Sequence, residues 1–123
     1  MIVPLALVVD DAAFIRLRTR KLLEENGYEV EEAKDGKEAV QKYVEASPDI
    51  VLLDITMPVM DGITALKEIK RIDPKAKVAM CTAVGQQALV LEAIKAGAND
   101  YLLKPLDPKK VLASVKKLVG KQL

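Results

Sequence analysis

Five times along this chain a short apolar run is followed by a stretch whose apolar residues recur at helical spacing, and few architectures accommodate that alternation. Residues 5–9 and 50–53 contain no polar interruption before the aspartates that follow them, which suits strands covered on both faces. After the first run come Ala12, Ile15, Thr19, Leu22 and Leu23, one face of a helix, with Gly27 where a C-terminal cap is wanted. Residues 28–31 alternate apolar and charged, as an edge strand does. Asp35 and Glu38 form a capping box ahead of a second helix with an apolar face of Ala39, Val40, Tyr43 and Val44. Asp61-Gly62 opens a third helix that carries Ile63, Leu66 and Ile69. Residues 78–81 are a fourth strand, 86–96 a fourth helix ended by Gly97, and 101–103 a short fifth strand. Asp107-Pro108 supplies a cap and a first-turn proline for a last helix, buried through Val111, Val115, Leu118 and Val119.

The expected fold class is therefore α/β: a (βα)5 three-layer sandwich, its five-stranded parallel sheet flanked by helices through right-handed crossovers. A flavodoxin-like strand order, 2-1-3-4-5, is the leading topology. The 123 residues fit one domain over 1–123, with no repeat, linker or attached output domain expected.

Several function classes drop out. The chain has no histidine, which excludes histidine acid–base chemistry, His–metal sites and Ser–His–Asp triads. Cys81 is the only cysteine, so no internal disulfide forms; it is expected to be a small buried hydrophobe in a reducing, cytoplasmic setting. Nineteen basic and 18 acidic residues give a net charge of +1, no argument for nucleic acid or an anionic membrane. The apolar run 2–9 lacks a basic flank and ends in two aspartates, unlike a signal peptide. No apolar stretch approaches the roughly 20 residues that span a bilayer.

Open parallel sheets bind ligands at the carboxyl ends of their strands. Strand one ends in Asp10-Asp11, strand three in Asp54, strand four in Thr82 and strand five in Lys104-Pro105. Three carboxylates on one rim repel one another, and a hard divalent cation relieves that. Mg²⁺ suits an oxygen-only donor set that leaves room for waters and phosphate oxygens. A carboxylate beside such a cation can attack phosphorus. Lys104 can neutralise a phosphoryl oxygen, and Thr82 can donate a hydrogen bond to another.

The segments V-V-D-D (8–11), L-L-D-I-T-M-P-V-M-D-G (52–62), C-T-A (81–83) and Y-L-L-K-P (101–105) together resemble the signature of response-regulator receiver domains, in family order and spacing over essentially the whole chain. The resemblance implies that Asp54 is the phosphoacceptor and that Asp10, Asp11, Asp54 and the backbone carbonyl of Thr56 hold Mg²⁺. It implies that Lys104 binds phosphate, that Thr82 and Tyr101 form a switch pair, and that the bond between Lys104 and Pro105 is cis. The stretch 83–97 is similar to stand-alone chemotaxis receivers. The implied role is a phosphorylation-controlled switch of a two-component system rather than a turnover enzyme. The implied partners are a sensor histidine kinase or small phosphodonor and a downstream protein target met through helix four, strand five and helix five; a monomer is expected. Leu89, Val90, Leu91, Ala93 and Ile94 give helix four a wide apolar arc, suiting either deep burial or partner contact through Val90, Leu91, Tyr101 and Lys104.

Other classes are weighed on the same residues. An aspartate-nucleophile phosphohydrolase of the haloacid-dehalogenase type needs a second acid two residues after the nucleophile, where this chain has Thr56. A flavodoxin needs a hydroxyl- and glycine-rich phosphate loop where this chain has Asp10-Asp11. A partner-binding receiver without phosphotransfer would lose the acids or the lysine. Lack of His and Trp, high charge and strong helix formers also suit an engineered or reconstructed receiver with no dedicated partner.

Overall fold

The computed structural model describes residues 3–120; Ile2, in the apolar N-terminal run, and positions 121–123 lie outside them. Five strands and five helices alternate: β1 (Leu5–Val9), α1 (Ala13–Glu25), β2 (Glu29–Ala33), α2 (Gly36–Ala46), β3 (Ile50–Asp54), α3 (Gly62–Ile72), β4 (Val78–Thr82), α4 (Gln87–Lys95), β5 (Asp100–Leu103) and α5 (Pro108–Val119). The strands form one parallel sheet in the order β2-β1-β3-β4-β5, the expected 2-1-3-4-5 topology.

Alternate residues of the central strands feed two cores. Leu7, Val9, Val51, Leu53, Val78 and Met80 face α2, α3 and α4, packing with Ala39, Tyr43, Leu66, Ile69 and Ala93. Ala6, Val8, Ile50, Leu52, Ala79 and Cys81 face α1 and α5, packing with Leu23, Val111 and Val115. Both faces of β1, β3 and β4 are thus buried, which is why those runs carry no polar alternation. Each fully buried Leu, Ile or Val contributes about 1.5–3 kcal/mol relative to exposure.

Local signals account for the helix ends. The Glu38 amide donates to the Asp35 carboxylate at 2.8 Å, while the Glu38 carboxylate reaches back to the Lys34 amide at 3.2 Å. Gly27, at φ +93°, closes α1: its amide donates to Glu24 and the Tyr28 amide to Leu23, a full Schellman pair. That engagement holds Tyr28 in the turn, so β2 starts one residue later than the alternation predicts and runs on to Ala33. Val44 lies on the outer side of α2 and is exposed rather than buried. α4 is shorter than expected, with Gln86 and Ala96 as its caps, and only Ala93 is fully buried. Val90 is half-buried against the core, whereas Leu91 and Ile94 are exposed, so its wide apolar arc is not explained by deep burial. No helix among the described residues is long and apolar enough to cross a membrane.

Candidate functional site

Four parallel strands deliver their carboxyl ends to one rim. Asp10 follows β1, Asp54 closes β3, Thr82 closes β4 and Lys104 follows β5. Asp10, Asp54 and Thr82 are buried and Asp11 is exposed. Carboxylate oxygens of Asp10, Asp11 and Asp54 lie within 4.8 Å of one another. Asp10 is fixed from both sides: one oxygen accepts from the Ala12 amide at 2.9 Å, and the other from the Lys104 ammonium at 2.8 Å. Lys104 also stands 3.2 Å from an Asp54 oxygen. The Lys104–Pro105 peptide bond is cis.

Burial lifts the Asp54 carboxyl above its ordinary range; Lys104 opposes the rise, while Asp10 and then Asp11 reinforce it. Burial works against the Lys104 ammonium, but its contacts with Asp10 and Asp54 outweigh burial and hold it charged. With all groups ionised, three carboxylates and one ammonium leave two negative charges on the rim. The donors are hard oxygens, the net charge matches a divalent cation, and the Asp54 carboxylate is disfavoured without one. The residues present therefore fit Mg²⁺.

The β3–α3 loop is held tightly beneath this rim. The Gly62 amide donates to the Ile55 carbonyl at 2.7 Å, and a Cβ on Gly62 would overlap the Asp54 carbonyl oxygen. Only glycine lets the start of α3 approach the strand that carries Asp54 so closely. The Met60 amide donates to the Pro58 carbonyl at 2.7 Å across Val59, whose φ of +67° is rare for a β-branched residue. Met57 is buried in the core and Met60 packs against it, so both fill space between the loop and the core.

Thr56 is exposed on this loop. Tyr101 is 47 % exposed on edge strand β5. Its register partner is Met80, and Leu103 pairs with Thr82, so Tyr101 and Thr82 lie diagonally on the same sheet face, the one toward α4. Cys81 is buried in the opposite core, where desolvation pushes its thiol up to about 12, far from a reactive thiolate.

Two residues of the site escape inspection of the sequence. Gln86 accepts from the Thr82 hydroxyl at 2.8 Å and from the Ala83 amide at 3.3 Å. The i, i+4 spacing from Thr82 is its only sequence trace. Arg16 donates to the Asp10 carbonyl at 2.6 Å while pairing with Glu32 at 3.1 Å, so it steadies the acidic loop with its charge already neutralised.

The sequence matches the response regulator receiver domain family over residues 6–116. It is 55 % identical to the chemotaxis protein CheY of Bacillus subtilis over 115 residues, covering 93 % of this chain and 96 % of that protein. It is equally similar to CheY of Thermotoga maritima, at 55 % over 113 residues, covering 91 % of this chain and 94 % of that one. Among solved structures, the CheX–CheY–BeF3–Mg²⁺ complex from Borrelia burgdorferi contains a chain that superposes with a TM-score of 0.89 at 40 % identity, covering 96 % of this chain and 90 % of that chain.

Proposed function

The chain belongs to the response regulator receiver domain family, and from that membership we propose that it is a phosphorylation-controlled signalling switch with Asp54 as the phosphoacceptor. The observation that carries this is the approach of Lys104 to Asp54, at 3.2 Å, on the same rim as the Asp10–Asp11–Asp54 cluster. An Asp54 carboxylate oxygen attacks phosphorus, the bond from phosphorus to the leaving group breaks, and acetate departs if acetyl phosphate is the donor. Asp10, Asp11, Asp54 and the Thr56 carbonyl would hold Mg²⁺, which would supply positive charge to offset that of the phosphoryl group. Lys104 meets one phosphoryl oxygen and Thr82 donates to another.

The phosphoryl group adds close to two negative charges. Drawing Thr82 toward it vacates space on the α4 face of the sheet, and Tyr101, diagonal to Thr82, turns in to fill it. The surface that changes is α4–β5–α5, where Leu91, Ile94, Tyr101 and Leu103 are exposed. A tenfold bias between the two states needs only about 1.4 kcal/mol. We take the phosphodonor to be a sensor histidine kinase or a small acyl phosphate, and the target to be a protein that reads this surface, in chemotaxis by similarity to the CheY relatives. The Borrelia relative, crystallised with CheX, BeF3 and Mg²⁺, supports a site of this chemistry and a protein partner. A lone, buried cysteine suits the cytoplasm as the compartment.

The test is intact mass after incubation with acetyl phosphate. The parent gains one phosphoryl mass with Mg²⁺ and none when the metal is chelated, and Asp54→Asn gains none. A metal-independent gain, or a gain in the Asn variant, overturns the assignment.

A further inference from the structure

The Thr82 hydroxyl already has an occupant for its proton. The Ala83 backbone amide can only donate, so the Gln86 atom facing it at 3.3 Å is the side-chain oxygen. An amide oxygen only accepts, so the 2.8 Å contact between it and Thr82 uses the hydroxyl's single proton. The Gln86 nitrogen is then left to face the Thr56 hydroxyl at 3.5 Å. Thr82 is 1 % exposed, so water offers no ready substitute, and the other acceptor in reach of the hydroxyl, the Ala83 carbonyl, stands farther off at 3.4 Å. Gln86 is also the N-cap residue of α4, which makes no side-chain capping bond of its own. One side chain therefore spans the β4–α4 loop, the loop after β3 and the start of α4.

We propose that Gln86 is a positioning residue that competes with the phosphoryl group for the Thr82 hydroxyl and so sets the threshold for switching. The proposal rests on Asp54 as phosphoacceptor and Thr82 as phosphoryl-oxygen donor. In the unmodified chain the Gln86 oxygen holds the Thr82 proton. When a phosphoryl oxygen arrives, the proton turns to it, because a charge-assisted hydrogen bond is stronger than a neutral one. Gln86 then loses its stronger contact, and the start of α4 loses its tie to the rim. The event at Asp54 thereby reaches α4 directly, alongside any movement of Tyr101.

The experiment measures beryllofluoride binding in Mg²⁺ by amide chemical shifts for the parent, Gln86→Leu and Gln86→Ala. The same pair of Gln86 substitutions is repeated in a Thr82→Ala background. Removing the competing acceptor tightens binding by about threefold to tenfold, the net worth of one neutral hydrogen bond. With Thr82 already Ala, the Gln86 substitutions change nothing, since no hydroxyl is left to compete for; a purely structural role for Gln86 would not show that dependence. Unchanged or weaker binding in either single variant overturns the proposal, as does an equal gain in the Thr82→Ala background. Failure of the parent to bind beryllofluoride overturns the phosphoacceptor assignment with it, whereas a parent that binds, with no gain on substitution, overturns the role of Gln86 alone.

Discussion

Lys104 brings its ammonium to 3.2 Å from the Asp54 carboxylate, although β4 lies between the strands that carry them. Its long stem reaches across the carboxyl end of β4 from the residue just past β5. The same ammonium contacts Asp10 at 2.8 Å, so one cation is shared by two buried carboxylates. Under the proposed function, charge balance on this rim sets the affinity for metal and for phosphate.

Lys104→Met should separate those two roles. The rim charge goes from two negatives to three, so Mg²⁺ binds more tightly, read by calorimetric titration. Beryllofluoride, which loses its counter-charge, binds at least about tenfold more weakly, a difference of roughly 1.4 kcal/mol. If both ligands weaken equally, Lys104 acts on the fold of the site rather than on its charge.

Asp54 gives the metal-free protein a distinct pH dependence. Its carboxyl is lifted above the ordinary 3.8, first by burial, so the folded chain binds this proton more readily than the unfolded chain does. Stability is therefore lost as pH rises from the ordinary carboxyl value through the raised value of the folded chain, and the penalty persists above it. Asp54→Asn removes it. In urea unfolding without metal, the Asn variant is the more stable at pH 7, and the gap closes toward pH 4. Added Mg²⁺ narrows the gap at pH 7, because binding stabilises the parent more. A gap independent of pH would mean the carboxyl is not disfavoured in the fold.

Asp10 and Asp11 should behave differently on truncation. Both Ala variants weaken Mg²⁺ binding. Asp10→Ala also loses hydrogen bonds from the Ala12 amide and Lys104, at a cost of about 1–3 kcal/mol. Asp11 is exposed and accepts no hydrogen bond among the described residues, so Asp11→Ala leaves stability unchanged or raises it by relieving repulsion. Thermal unfolding without metal separates the two, and equal losses would contradict this division.

Communication to the output surface is read from amide shifts with and without beryllofluoride in Mg²⁺. Changes extend from Asp54 through Thr82 to Tyr101 and along α4. Changes confined to the loops of Asp10, Asp11, Asp54 and Lys104 would mean a site that binds phosphate without switching.

Much of this was legible in the sequence because the signals are local. Two-sided burial writes itself as apolar runs at 5–9 and 50–53, and the caps at Asp35, Asp61 and Asp107 each accept the backbone hydrogen bond expected of them. The rim was legible because every strand end in a parallel sheet points the same way. What stayed hidden depends on how the backbone closes at each turn and which groups that brings together. The Schellman turn that holds Tyr28 out of β2, the contact that demands glycine at 62, and the bond from Thr82 to Gln86 leave no periodic trace. Exposure of Leu91 and Ile94 likewise follows from how α4 is seated, which its composition does not fix.

The most direct test of the central claim is to locate the phosphoryl group. The parent is phosphorylated with acetyl phosphate and Mg²⁺, treated with borohydride to convert the acyl phosphate to homoserine, digested, and sequenced by tandem mass spectrometry. The account predicts homoserine at position 54 and at no other aspartate. Homoserine at position 10 or 11, or an unmodified position 54 in a chain that has gained phosphoryl mass, would contradict it.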